Sequence, residues 1–213
     1  MSIPLLATIH PAFVLRARRW EEVFRSDVAK AVRHAHGGLR WRDPDMVLDP
    51  TLGGLDAALA RMAASRKVVA VDTETDGLDP EAVRLRCVGL AVEDFGVVVG
   101  FRSCVGPDYG AGMYVPGEGA AARPLRARPG AAVQDRVRNF FARAGLEDGP
   151  RAIAVHNQVY DQPVLERYGM PLPDVTRVVD TVLLHKEADS ELHHDLDFLA
   201  SVMTDAPKWK LHD

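Results

Sequence analysis

Apolar positions follow two periods along this chain. The run Lys67-Val68-Val69-Ala70-Val71 is continuous, which predicts a central strand covered on both faces. Leu85 to Val92 and Gly96 to Phe101 predict two more strands. Glu93-Asp94-Phe95-Gly96 between them reads as a hairpin turn, so three adjacent strands are expected. Arg151-Ala152-Ile153-Ala154-Val155 predicts a fourth. Helical spacing predicts an alanine-rich helix over Leu55–Ser65 and another over Gln134–Ala144, whose apolar face is Val133, Val137, Phe140 and Phe141. Asn157 to Tyr168 predicts a helix that stops at Gly169 and Pro171. Asp180 to Lys186 and Asp195 to Met203 predict two further helices.

The flanks read differently. Ile3 to Ile9 is strand-like, His10-Pro11-Ala12 follows, and Trp20, Val23, Phe24, Asp27, Val28 and Ala31 mark one face of a helix from Arg18 to Arg33. A single strand and helix cannot bury an apolar face alone, so residues 1–36 are expected to pack on the rest of the chain or to be the remnant of another domain. Residues 37–54, with Gly37-Gly38, Asp43-Pro44, Asp49-Pro50 and Gly53-Gly54, are dense in turn formers and read as a linker. Residues 55–213 then form the main domain, interrupted by an irregular Gly-, Pro-, Ala- and Arg-rich insertion at 106–130.

Composition narrows the possibilities. With 47% hydrophobic and 26% charged residues, the chain has enough apolar material for a folded core, which excludes a mainly disordered state. Its net charge of -4 gives no global basic field, so any polyanion must be met locally. Two cysteines, Cys87 and Cys104, cannot build a disulfide framework, and free thiols point to a reducing, cytoplasmic setting. No run is long enough to span a bilayer, and the apolar opening lacks a preceding basic stretch, so neither a membrane span nor a signal peptide is expected.

Candidate chemistry concentrates at two strand exits. In Asp72-Thr73-Glu74-Thr75, alternation places the Asp72 and Glu74 carboxylates on one face. Two carboxylates so close repel unless cations intervene, and Mg²⁺ or Mn²⁺ are the natural guests of oxygen ligands. Asp-x-Glu also serves elsewhere as plain turn capping. After the fourth predicted strand comes His156-Asn157-Gln158-Val159-Tyr160-Asp161, in which Asn157 and Asp161 are i and i+4 on one helix face. Asp161 could complete a metal site, or Asn157 could be a helix cap and Asp161 a solvated residue.

Val69-Ala70-Val71-Asp72-Thr73-Glu74-Thr75-Asp76-Gly77-Leu78-Asp79 resembles the first motif of the DEDD 3'-5' exonucleases, in particular the proofreading domain of family A (polymerase I type) DNA polymerases. His156-Asn157-Gln158-Val159-Tyr160-Asp161, followed by Leu165 and Tyr168-Gly169, resembles the second. Asp180-Thr181 and His194-Asp195-Leu196-Asp197-Phe198-Leu199-Ala200 are similar to the helices that follow. The resemblance covers residues 55 to 210. It implies an α/β fold, an RNase H-like mixed sheet flanked by helices. It also implies that Asp72, Glu74 and Asp161 hold two divalent metal ions (Mg²⁺ or Mn²⁺), which activate water and stabilise the leaving oxygen at phosphorus. Thr75 and Leu78 would touch the terminal nucleotide, Leu78 wedging against its base, and His156 and Asn157 would lie near the scissile phosphate. The implied substrate is a single-stranded or frayed DNA 3' end, whose unpaired bases offer faces for stacking. A polymerase domain following in the chain is the implied partner.

One departure qualifies this reading. The family carries a fourth carboxylate in Tyr-x-x-x-Asp or His-x-x-x-Asp on a later helix, and this chain has none at that position. His185 and Asp189 have the spacing but precede the expected place. The fold is therefore expected to lack its last catalytic helix, the missing motif is expected beyond Asp213, and a non-catalytic nucleic-acid-binding fragment stays open as an alternative. An exoribonuclease of the same superfamily shares every motif used here.

Residues Leu5 to Arg16, with His10-Pro11-Ala12, resemble the last strand and His-Pro-Ser-type loop of uracil-DNA glycosylases of the iron–sulfur branch, with Ala12 in place of the serine. The resemblance implies a tail without activity of its own, and a plain strand-ending turn accounts for the same residues. His193-His194 beside Asp195 and Asp197 could suggest a transition metal, but polar residues opening a helix explain them more simply. Two arginine groups, Arg16, Arg18, Arg19 and Arg123, Arg126, Arg128, could neutralise nucleic-acid phosphates or be ordinary solvated charges.

Overall fold

The computed structural model describes residues 7–38, 41–101 and 129–206. Its helices, in chain order, are α1 (Pro11–Arg16), α2 (Glu21–Gly37), α3 (Leu52–Ser65), α4 (Pro129–Ala142), α5 (Gln158–Arg167), α6 (Thr181–Ala188) and α7 (Leu196–Met203). The strands are β1 (Asp45–Leu48), β2 (Val68–Thr75), β3 (Leu85–Val92), β4 (Phe95–Gly100), β5 (Ala152–Val155) and β6 (Val178–Asp180). They fall into two bodies: Pro44–Thr181, and the described residues of Met1–Asp43 together with those of Val182–Asp213. No helix among the described residues is long and apolar enough to cross a membrane.

The first body is built on one mixed sheet of order β1-β4-β3-β2-β5-β6. Only β3 runs against the rest: it is antiparallel to β2 and β4, while β2–β5, β5–β6 and β1–β4 are parallel pairs. Alternation along β2 sends Val69, Val71 and Thr73 inward and leaves Val68, Ala70, Asp72 and Glu74 on the opposite face. The inward residues join Val88, Leu90, Val97, Val99, Ile153 and Val155 of neighbouring strands in one core. Leu55, Leu59 and Met62 of α3, Val133, Val137 and Phe141 of α4, and Val164 and Leu165 of α5 fill that core from the helix side. Helix α5 ends as its sequence demands: Gly169 takes φ 70°, and Met170 N–H returns to the Leu165 carbonyl at 2.9 Å. The fully buried Tyr168 then accepts the Leu85 N–H at 3.1 Å, which ties the start of β3 to the end of α5.

Four sequence expectations need correction. The stretch 37–54 is not a linker throughout: Asp45–Leu48 is an edge strand paired with β4, and helix α3 begins at Leu52 behind a Thr51 cap that accepts the Gly54 N–H. The turn formers that suggested a linker only bracket the apolar Met46-Val47-Leu48, which is long enough for a short edge strand. Strand β2 is central but covered on one face only, Val68 and Ala70 being exposed, while the helix expected from Asp180 does open, at Thr181, behind a three-residue edge strand β6 too short to leave a pattern. His10-Pro11 neither ends a strand nor makes a simple turn: His10 Nδ1 accepts the Ala12 N–H at 3.1 Å and Pro11 takes the first position of α1, an ordinary helix start. Residues 7–10 are irregular, and 3–6, the rest of the expected strand, lie outside the described residues, as do Cys104, Arg123, Arg126, Arg128 and all of the 106–130 insertion before Pro129, where α4 begins.

In the second body, α2 grips the end of α7. The last carbonyls of a helix have no partner within it, and here Ser26 Oγ donates to Val202 O at 2.5 Å while Lys30 Nζ donates to Ser201 O. Arg33, one turn on, pairs with Asp205 at 2.7 Å. Trp20 meets Phe198 edge-on, ring centroids 6.4 Å apart. The residues read from sequence as a remnant thus share a folded body with the end of the chain. Lys30 is buried, so replacing its ammonium while keeping its stem, Lys30→Met, is expected to lower stability by about 1–3 kcal/mol. Arg25→Met, which removes an exposed i,i+4 pair with Glu21, should cost less than about 0.5 kcal/mol, and urea midpoints compare the two.

Candidate active site

Asp72 and Glu74 stand on the outward face at the carboxyl end of β2, both exposed. Glu74 faces Cys87 across the β2–β3 ladder, and there the pairing slips: Glu74 pairs Cys87 while Thr75 pairs Leu85, a bulge that ends the regular ladder beside the two carboxylates. The Cys87 thiol is pushed up first by burial and then by the Glu74 charge, so this corner of the sheet is electronegative.

Asp161 approaches from the other side. It lies in the first turns of α5, on the core face, where its Oδ1 accepts the Thr73 hydroxyl at 2.5 Å. Thr73, the middle residue of Asp72-Thr73-Glu74, points inward because its two neighbours point outward. Burial raises the Asp161 carboxyl to about 6; the Thr73 bond opposes this, and the charges of Asp72 and Asp180 add to it. Asp161 thus meets β2 from the core side at Thr73, while Asp72 and Glu74 stand on the opposite face of the same strand end, and among the described residues no group of three His, Cys, Asp or Glu side chains is placed to hold an ion. The donor set itself, all carboxylate oxygen with one carboxyl already discouraged from ionising, suits a hard divalent cation.

The remaining predicted residues take definite places. Asn157 adopts a left-handed backbone (φ 75°, ψ 65°) and its side chain does not cap α5. Asp180 caps it instead, from the neighbouring strand, with Oδ1 and Oδ2 accepting the Asn157 and Gln158 N–H groups at 3.2 and 2.8 Å. Thr181 Oγ1 lies 3.1 Å from Val155 O and shares a 2.8 Å hydrogen bond with His156 Nδ1. Thr75 Oγ1 shares a 2.5 Å hydrogen bond with Tyr160 Oη, and both hydroxyls lie 2.8 Å from the Gly77 carbonyl. Leu78, next along, is 92% exposed. Its loop is held at the base by Asp76, which accepts the Arg84 N–H at 2.6 Å, and from α5 by Arg167, which donates to Pro80 O and Val83 O.

Sequence reasoning missed Thr73, Tyr160 and Arg167, and it gave Asp180 only a helix start. The available signals were the alternation of β2, which turns Thr73 inward, and the position of Tyr160 beside Asp161. Asp195 is the N-cap of α7, accepting the Phe198 N–H at 2.9 Å, as the simpler reading had it. His194 Nδ1 instead meets His185 Nδ1 at 2.6 Å.

A family model described as 3'-5' exonuclease matches residues 54–212. The chain belongs to this exonuclease family. Solved structures similar to this exonuclease chain include Brucella melitensis NrnC bound to pGG, 18% identical, covering 80% of this chain and 66% of that one with a TM-score of 0.48. Brucella melitensis NrnC with bound Mg²⁺ is 18% identical, with coverage of 76% and 62% and a TM-score of 0.45. The catalytic core of RRP6 from Trypanosoma brucei is 13% identical, with coverage of 75% and 34% and a TM-score of 0.47. The exonuclease chain thus spans less than two thirds of the NrnC chains and about a third of the RRP6 core. No curated protein matches it. The fold is α/β, a mixed six-stranded sheet with helices packed on it.

The folded protein keeps the Asp161 proton to about pH 6, whereas the unfolded chain loses it near 3.8, so the carboxyl costs stability above this window and nothing below it. Asp161→Asn should raise the Tm at pH 7.5, by the equivalent of at most about 3 kcal/mol, with the gain gone by about pH 4. Mn²⁺ should raise the Tm of the parent protein and leave that of Asp161→Asn unmoved. Asp180→Ala should uncap α5 and cost about 1–2 kcal/mol, with Asp180→Asn restoring part of it, as read by amide exchange over Gln158–Asp161.

Proposed function

We propose that this chain is a metal-dependent 3'-5' exonuclease that removes nucleoside monophosphates from DNA 3' ends. The observation that carries the reading is the hydrogen bond from Thr73, which lies between Asp72 and Glu74 on β2, to Asp161 of α5, joining the two motif segments in a chain of the exonuclease family. Asp72, Glu74 and Asp161 would hold two divalent ions, which supply a polarised water and charge neutralisation at phosphorus. The residues' own parts are distinct. Thr73 orients Asp161, and Asp180 fixes the helix start from which Asn157 and Asp161 project. Tyr160 and Thr75, hydrogen-bonded to each other, hold the Gly77 carbonyl through one of their two hydroxyls, and so the loop that offers Leu78 to a terminal base. His156, fixed by Thr181, would sit near the scissile phosphate. An unpaired end suits the exposed leucine, since a frayed base can be contacted on its face.

Proofreading beside a polymerase domain rests on the motif resemblance alone. A cytoplasmic setting is consistent with the free Cys87 thiol. A second reading, nucleic-acid binding without catalysis, is favoured by one observation: among the described residues no three candidate ligands gather around a point.

Digestion of 5'-labelled single-stranded DNA and RNA in Mn²⁺ tests these readings. With three of the four carboxylates that the family resemblance implies, the chain should shorten DNA from its 3' end only slowly. Because metal ligands contribute several kcal/mol to the transition state, Asp72→Ala should slow digestion by at least about 100-fold. Undiminished digestion by Asp72→Ala would remove the metal assignment. Binding without digestion would establish the second reading, and faster digestion of RNA would reassign the substrate.

A further inference from the structure

Residues ahead of the family-matched region carry a surface that the exonuclease motifs do not use. From α1 through the short turn that leads to α2 the chain reads Phe13-Val14-Leu15-Arg16-Ala17-Arg18-Arg19-Trp20. Val14 is the buried anchor, while Phe13 and Leu15 are 42% and 78% exposed. Arg16, Arg18 and Arg19 are exposed, and none has a carboxylate partner among the described residues, in contrast to Arg25 and Arg33 on the adjoining helix, which pair with Glu21 and Asp205. The Arg19 guanidinium carbon lies 5.9 Å from the Trp20 ring centroid, an arrangement that leaves its N–H groups available while the ring supports it. Glu21 is neutralised by Arg25 at 2.8 Å, so Glu22 is the one nearby acid in the following turn without such a pairing. On a chain with a net charge of -4, three cations within four residues beside an exposed ring form a local concentration.

We infer that Phe13–Arg19 is a binding surface for single-stranded nucleic acid, Arg16, Arg18 and Arg19 meeting successive phosphates and Phe13 offering a face to a base. Clustered cations beside an exposed apolar ring, Phe13, are what an unpaired strand requires: charge along the backbone and a platform for a base that has lost its stacking partner. The inference deepens the proposed function by giving the polymer a second contact, and it rests on that reading for the identity of the ligand.

The test measures binding of fluorescein-labelled oligo-dT by anisotropy in EDTA, so that no chemistry is required, across about 50–200 mM NaCl. Three phosphate contacts contribute about 2 to the salt slope of a single strand. Arg16→Gln/Arg18→Gln/Arg19→Gln should flatten the slope by that amount and weaken binding at low salt at least tenfold, with the Tm unchanged because all three side chains are exposed. Phe13→Ala should weaken binding about 5-fold at every salt concentration and leave the slope intact. An unaltered slope in the triple variant overturns the inference. So does loss of binding to phosphatidylserine vesicles with oligo-dT binding preserved, which would make the patch a lipid contact. Asp72→Ala, tested for digestion in parallel, fails or succeeds independently of these outcomes and keeps the two readings separate.

Discussion

The alternation of β2 is the constraint on which the rest of the site depends. A strand in the middle of a sheet must send every second side chain into the core, and Val69 and Val71 fix that register at no cost in polarity. Once they are inward, Asp72 and Glu74 are outward and Thr73 is inward, with no further choice. A one-residue slip would bury two carboxylates among valines and expose the valines. The hydrophobic core therefore positions the candidate chemistry, and the same residues that hold the sheet to α3, α4 and α5 set where the charges stand.

Thr73 is the one polar residue that this register places inside, and it needs a partner. Asp161 is that partner, and the bond joins the two motifs across the boundary between strand and helix. Burial discourages the Asp161 charge, and the nearby Asp72 and Asp180 discourage it further. Asp180 appears twice in this arrangement, as a negative neighbour of Asp161 and as the cap that lets α5 begin where Asn157 has turned left-handed. A helix whose own first residue does not cap it takes its cap from the adjacent strand, so the placement of Asp161 depends on a residue 19 positions further along the chain.

The second body shows the same economy with backbone groups. Helix α7 is short and ends with carbonyls that cannot be paired within it, and Ser26 and Lys30, one turn apart on α2, take two of them. The N-terminal segment thereby acquires a structural role beside any contact it makes with a ligand. Its exposed arginines lie before this grip, at the end of α1 and on the short turn that leads to α2.

Much of this was legible in the sequence. The apolar run of β2, the β3–β4 hairpin, the principal helices and the pairing of Asp72 with Glu74 on one face follow from period and local chemistry, which act over a few residues. The edge strands β1 and β6 were not legible, because three or four residues carry too little pattern. The grouping of residues near the start with those after Val182 was not legible either, because it is made by hydrogen bonds between residues more than 170 positions apart. The sequence by itself determined which residues can do chemistry and which strand bears them. Only the tertiary structure decided that Asp161 turns to Thr73, that Asp180 caps α5 and that α2 closes α7, because satisfying a buried polar group depends on what lies beside it in space.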